Sequence, residues 1–298
     1  MVHTKLAAGI ASAGRVAILA EALRELTKQT RPADCVFICP ASEADFDVAK
    51  VANLPLPLQV IMGPRGLCAQ RNTILKGARD FDLLVFFDDD FFPSPSYLEE
   101  IEACLASDPS IVLAHGHVIA DGSVGPGIDV EAARAALLKE PSALPSEPVT
   151  EEWSVHGCNM ALRMATIREH DIRFDENLPL YSWLEDLDIS RKMKMYGRVV
   201  RTARASGVHL GFKSGRISQK RYGYSQIANP IYLWRKGVVS LREVFWLTVP
   251  RIGHNLLKLL FQEPWIDRRG RAVGHWLAIW DIVRGRLHPS RIFQMKTS

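Results

Sequence analysis

The stretch LLVFFDDDFF, residues 83–92, runs from five apolar residues through three aspartates into two phenylalanines. Five apolar residues without polar alternation predict a strand buried on both faces, as in a parallel sheet covered by helices. The step from Phe87 to Asp88 marks the carboxyl end of that strand. Ligands of open parallel sheets sit at this rim, so Asp88, Asp89 and Asp90 are expected where a ligand docks. Three ionised carboxylates repel one another unless a cation offsets them, and hard oxygen donors suit Mg²⁺ or Mn²⁺. Side chains alternate along an extended chain, which sets Asp88 and Asp90 on one side and Asp89 on the other. The plainer alternative is a solvated acidic loop. The flanking phenylalanines, Pro93 and the helix expected after them favour a fixed corner instead.

Working outward, strand and helix patterns alternate. Residues 5–10, 35–39, 58–62, 111–118, 159–163 and 198–202 read as strands. Residues 16–26, 68–78, 130–139 and 186–196 read as helices; the last carries Ile189, Met193 and Tyr196 on one face and stops at Gly197. Residues 121–127 form a glycine-rich turn, and 141–148 a proline-rich surface loop. The pattern predicts an α/β fold, a mostly parallel sheet flanked by helices. After about residue 225 it changes. Leu241, Phe245, Thr248, Ile252, Leu256 and Leu259 recur at helical spacing with a break at Pro250, and Trp276, Ile279, Trp280 and Val283 do the same. Two domains are expected: 1–224 as the α/β body, and 225–298 as a basic, amphipathic helical extension.

Charge follows this division. Residues 1–190 hold 15 Lys/Arg against 29 Asp/Glu, and residues 191–298 hold 22 against 4. An acidic body with a basic tail points to an anionic surface or ligand for the tail, or to packing of the tail on the body. Its aromatic residues follow the apolar faces of helices rather than lying among Lys/Arg in a groove, which argues against nucleic acid. Trp and Leu beside Arg and Lys suit a helix lying in a membrane interface; a cover for the core is the equal alternative. The five cysteines form no CxxC pair, so no disulfide framework or zinc site is expected. The N-terminal residues lack the apolar core of a signal peptide. A cytoplasmic protein, peripheral on the inner face of the plasma membrane if the tail binds lipid, is the expectation.

A second acidic group lies in WLEDLDISRKM, at Glu185, Asp186 and Asp188. Carboxylates in a helix's first turn often serve only the helix dipole. Trp183, three residues before Asp186, offers an aromatic plane beside a base, which suits stacking of a sugar face.

The segments GIASAGR, RGLCAQRN, LLVFFDDDFFPSPSYLE, HGCNMALR and FDENLPLYSWLEDLDISRKMKMYGR, in this order over residues 4–215, resemble a family 2 glycosyltransferase of the GT-A fold. The resemblance implies an inverting transfer, hexosyltransferase in type, from a nucleotide sugar, UDP-sugar favoured. It also implies a divalent cation, Mg²⁺ or Mn²⁺. The acceptor would be a saccharide or lipid-linked saccharide, in cell-surface polysaccharide or glycolipid synthesis. By position it makes Asp90 and His209 metal ligands. Ala11, Ser12, Glu43, Arg65, Arg71, Asp88 and Asp89 become donor-binding residues. Asp186 is the general base, and Trp183, Glu185 and Asn159 flank the acceptor. The chain departs from the family in two places. Ala11-Ser12-Ala13-Gly14 stands where Pro-Thr-Tyr-Asn is usual, and Cys39-Pro40 stands where an acidic pair contacts the nucleotide base, with Glu43 as the nearby substitute. Two rivals are a sugar nucleotidyltransferase, for which Ser12–Arg15 is too short a phosphate loop, and a catalytically silent scaffold that binds membrane through its tail.

Overall fold

A computed structural model describes residues 3–139, 149–215, 217–261 and 263–295; the expected loop at 141–148 lies outside the described residues. In chain order the strands are β1 (Leu6–Ser12), β2 (Cys35–Pro40), β3 (Leu58–Val60), β4 (Leu83–Asp88), β5 (Phe91–Pro93), β6 (Ile111–Asp121), β7 (Val149–Glu151), β8 (Met160–Arg163) and β9 (Arg198–His209). The helices are α1 (Val16–Leu26), α2 (Leu67–Gly77), α3 (Tyr97–Ser107), α4 (Val130–Leu138), α5 (Met164–Glu169), α6 (Glu185–Lys194), α7 (Gln219–Arg235), α8 (Leu241–Leu257) and α9 (Arg268–Val283).

The strands form one sheet in the order β3-β2-β1-β4-β8-β6-β9-β5, with β7 on β9. Pairs β1–β2, β2–β3, β1–β4 and β6–β9 are parallel, whereas β4–β8, β6–β8, β5–β9 and β7–β9 are antiparallel. The sheet is thus mixed, not mostly parallel. Continuous apolar runs report burial on two faces, which β8 shares with β4 and β6 while running antiparallel to both. The β6–β9 ladder is irregular, with register shifts at three places, and such bulges bend and re-aim strand ends.

Contacts divide the chain into two compact units. The first comprises Met1–Arg65, Ala69–Phe174 and Ile189–Gly215; the second comprises Gly66–Cys68, Asp175–Asp188 and Arg216–Ser298. In the first, Leu6, Ala8 and Ile10 of β1 meet Leu19 and Leu23 of α1, Val36 and Ile38 of β2, Val85 and Phe87 of β4, and Leu98 and Ile101 of α3 in one core. In the second, Tyr224, Ile227 and Ala228 of α7 pack with Ala278 of α9, Leu287 and Ile292.

Helix α8 runs through Pro250, where a break was expected. Proline cannot donate to the carbonyl four residues back. Arg251 Nη1 bonds the Leu247 carbonyl at 2.9 Å and comes within 3.5 Å of the Trp246 carbonyl that the proline leaves without its helical donor. A Ser240–Glu243 capping box fixes the start of the helix.

Candidate active site

Strand β1 pairs with β2 on one side and β4 on the other. The chain order reverses there, and the carboxyl ends of adjacent strands leave a crevice. Ala11 lies opposite Asp88 across the β1–β4 pair, so the end of β1 and the aspartate triplet share one rim. The ends of β6 and β9 supply the rest, because Asp121 and His209 are partners in their ladder. The phenylalanines on either side of the aspartates hold the corner. Phe87 and Phe91 stack with ring centres 5.5 Å apart, and Tyr97 meets both edge-on.

The aspartates divide as alternation predicts. Asp89 turns inward, accepting from Ser12 Oγ at 2.7 Å and Arg15 Nη1 at 2.8 Å. Burial pushes its carboxyl up, Arg15 opposes the rise and Asp90 adds to it. Asp88 is half-buried, with Oδ1 3.1 Å from Arg71 Nη2. Asp90 is 1% exposed. Its Oδ2 accepts from the Phe212 N–H at 2.7 Å and lies 3.2 Å from Arg15 Nη1. Gly211, at φ 64°, makes the turn that aims this N–H. A Cβ there would stand 2.1 Å from the Gly122 carbonyl carbon, so only glycine fits. Burial works against the Asp90 charge, but His209, Arg15 and the Phe212 N–H outweigh it and hold the carboxyl down at about 2.

His209 Nδ1 sits 2.8 Å from Asp121 Oδ1, and its Nε2 is 3.5 Å from Asp90 Oδ1. The second distance is too long for a good hydrogen bond, and Asp90 Oδ1 is buried without one. Burial disfavours the imidazolium; Asp121 and Asp90 more than compensate and raise His209 to about 10. The arrangement fits a metal ion. One donor atom from each of Asp88, Asp90 and His209 lies within 4.8 Å of the others. Opposite ligands of an octahedral ion with bonds near 2.1 Å are about 4.2 Å apart, so a small contraction closes the set. A carboxylate on the far ring nitrogen, as Asp121 provides, keeps the proton on Nδ1, so a cation would displace only the proton of Nε2 to be held there.

Other residues expected at the site are distributed differently. Ser12 is engaged with Asp89, and Ala11 is half-buried at the rim. Arg71 is 1% exposed, its guanidinium centred 5.5 Å from the rings of both Phe86 and Phe174 and bonded to the Gly157 carbonyl at 2.8 Å. It braces Asp88 from behind. Arg65 and Glu43 are exposed. Beside Glu43, Asp45 accepts from the Gly14 N–H at 2.6 Å. Asn159 is 0% exposed; its Nδ2 donates to the Gly116 carbonyl at 3.2 Å, and its own carbonyl accepts from Tyr97 Oη at 2.9 Å.

Arg15, Asp121, Phe212 and His156 were not singled out by sequence. The signal for Arg15 was its place one residue before α1, after a strand end. Asp121 had only its place two residues before the serine of a glycine-rich turn. His156 Nδ1 lies 3.1 Å from Cys158 Sγ, and its ring is 6.2 Å from that of His209. Burial pushes the Cys158 thiol up, so it stays a neutral thiol.

In the second unit, the segment before α6 is backbone-strained. Leu180, Ser182 and Leu184 have φ of 57°, 54° and 74°, each costing on the order of 1–3 kcal/mol. Local bonds hold it. Leu67 N–H donates to the Leu180 carbonyl at 2.8 Å, Ser182 Oγ to the Leu178 carbonyl at 2.6 Å, and Asn229 Nδ2 to the Trp183 carbonyl at 2.8 Å. Lys236 bridges Asp175 at 2.6 Å and Asp188 at 2.8 Å. Trp183 is half-buried with the Arg251 guanidinium 5.1 Å from its ring centre. Glu185 is buried and Asp186 half-buried at the first turn of α6, the latter accepting from the Leu187 N–H at 2.8 Å. Strain held by surrounding bonds is a feature of functional segments.

Solved structures share this fold. The mannosyltransferase PcManGT of Pyrobaculum calidifontis, in complex with GDP-Man and Mn²⁺, matches 98% of this chain and 86% of its own at a TM-score of 0.55 and 14% identity. S. aureus TarS 1–349 in complex with UDP-GlcNAc matches 95% and 93% at a TM-score of 0.52 and 15% identity. Against a longer TarS chain the match covers 77% of this chain and 40% of that one, at a TM-score of 0.51 and 18% identity. No protein-family profile matches the sequence, and no curated protein matches it. The chain has the fold of these glycosyltransferases.

Proposed function

We propose that the protein is an inverting glycosyltransferase that moves a sugar from a nucleoside diphosphate sugar, UDP-sugar favoured, to a hydroxyl of a saccharide or lipid-linked saccharide. We place it in family 2, in the making of cell-surface polysaccharide or glycolipid on the cytoplasmic side. The observation that carries the reading is the Asp88–Asp90–His209 cluster at the crevice between strand ends. It includes a buried carboxylate oxygen without a hydrogen bond and an imidazole turned by Asp121 to offer Nε2. Two neighbours with a nucleotide sugar in their complexes, one of them also with Mn²⁺, support it from outside.

Asp88, Asp90 and His209 would hold Mg²⁺ or Mn²⁺. Such an ion, when bound, offsets the charge that grows on a departing nucleoside diphosphate. Arg15 pairs with Asp89 and Asp90, and Arg71 with Asp88, which aims the carboxylates. The crevice between β1 and β4, rimmed by Ala11 and Ser12, takes the nucleotide. Asp186 accepts the proton of the acceptor hydroxyl as the new C–O bond forms, a contribution of about 10²–10⁴ in rate. Trp183 and Glu185 flank the acceptor. Attack on the face opposite the departing diphosphate turns an α-linked donor into a β-linked product.

The test is nucleoside diphosphate release from a panel of UDP- and GDP-sugars with Mn²⁺ and simple saccharide acceptors. The wild-type protein releases diphosphate from at least one donor. Asp186→Asn lowers turnover by about 10²–10⁴ while nucleotide affinity is kept. Near-normal turnover in that variant removes Asp186 as the base; no release from any donor contradicts the transfer reading.

A further inference from the structure

Two helices of the second unit bury polar side chains beside their few core contacts and turn large apolar ones outward. Along α8 the inward stripe is Thr248, Ile252 and Asn255, and Thr248 and Asn255 are buried. Asn255 is 1% exposed, and the Oδ1 of Asn255 and Oγ1 of Thr248 have no hydrogen-bond partner. The same helix turns Phe245, Trp246, Val249 and Leu257 to the outside. Helix α9 repeats the pattern. His275 and Asp281 are buried, bonded to Gln226 at 3.0 Å and to Tyr224 Oη at 2.9 Å, while Val273, Trp276, Trp280 and Val283 are exposed. Trp276 is 68% exposed and Leu257 75%. A helix that only covers a core buries its apolar stripe, and contiguous exposed apolar surface marks a contact with something apolar.

Charge selects the occupant. Arg242, Arg269 and Arg284 are exposed and make no ion pair among the described residues. The Arg284 guanidinium lies 4.3 Å from the ring centre of Trp280. Residues 191–298 carry 22 Lys/Arg against 4 Asp/Glu. A second copy on this face would set arginines against arginines. An anionic bilayer meets both demands, acyl chains for the tryptophans and lipid phosphates for the arginines. No helix among the described residues is long and apolar enough to cross a membrane, so contact is in the plane of the interface.

We infer that the outer faces of α8 and α9 dock the protein on an anionic lipid surface. The inference stands on these outward apolar faces and not on the catalytic reading. It is tested by sedimentation of the full chain with phosphatidylcholine vesicles with and without phosphatidylglycerol, alongside light scattering of the free protein. The protein is monomeric, and the anionic lipid raises the bound fraction at least about tenfold, an increase that rising salt reverses. The exposed double substitution Trp276→Ser/Trp280→Ser and the charge reversal Arg242→Glu/Arg284→Glu each abolish that increase, and nucleotide affinity is unchanged. Equal binding to both vesicle types, wild-type sedimentation by both variants, or a dimer that the tryptophan substitutions dissociate would overturn it.

Discussion

Asp121 and Arg71 act alike: each takes one end of a neighbouring side chain and leaves the other end to the cluster. Asp121 holds Nδ1 of His209, and Arg71 holds Oδ1 of Asp88. Asp121→Asn is therefore expected to lower Mn²⁺ affinity about 10–100-fold, followed by the Mn²⁺ resonance signal on titration, with the fold intact by circular dichroism. Unchanged affinity would return Asp121 to a purely structural role. Asp88, Asp89 and Asp90 were legible because the apolar-to-acidic step fixes both a strand end and its rim. Arg15 and Asp121 were not, because their partners lie 74 and 88 residues away in sequence, and spacing carries no trace of a pairing made by sheet order. Arg71 was expected beside the nucleotide; its burial between two rings follows from α2 packing on β4, which no local pattern announces.

At the level of elements, α1 and β4 were read within a residue of their bounds because apolar periodicity and burial agree there. Strand direction was not legible, since β8 is as buried as β4 and β6, to which it is antiparallel. Helix α8 was expected to break at Pro250 because proline removes a donor; the helix instead continues through it, with the Arg251 guanidinium bonded to the neighbouring Leu247 carbonyl. Pro250→Ala restores the backbone bond without disturbing a buried contact, since position 250 is exposed. It is expected to raise stability by about 1–3 kcal/mol, read as a higher midpoint in urea. A lower midpoint would mean the proline fixes a bend the unit requires. The strained turn before α6 was invisible for another reason. Leucine at positive φ defies local preference, so sequence can only point away from it.

On the scale of the whole molecule, acid should weaken the fold in two windows. Burial, with Arg271 nearby, lowers His275 to about 4 from the usual 6.5. Between those values the unfolded chain binds the proton and the folded chain does not, so stability falls as pH drops from 6.5 to 4. For Asp175, burial works against the charge, but Lys236, the Asn177 N–H and Tyr232 outweigh it and hold the carboxyl at about 2 against the usual 3.8. Stability present above pH 3.8 is lost on descending to 2. Urea midpoints measured against pH are expected to fall in both windows, with His275→Gln making the upper fall shallower and Asp175→Asn the lower. A wild-type midpoint that holds steady from pH 7 to 3 would contradict both assignments. The charge asymmetry of the sequence anticipated a basic second half, but not that its helices turn tryptophan outward and asparagine inward.

The proposed transfer requires the ends of β4 and β9 to grip a cation that in turn receives a nucleoside diphosphate. Calorimetric titration of UDP and GDP into the protein, with Mn²⁺ and then with chelator, tests it most directly. At least one nucleotide is expected to bind about tenfold or more tightly with Mn²⁺, and Asp90→Ala to bind with Mn²⁺ only as weakly as the wild type does without it. Equal affinity with and without the ion, in wild type and variant alike, would contradict it.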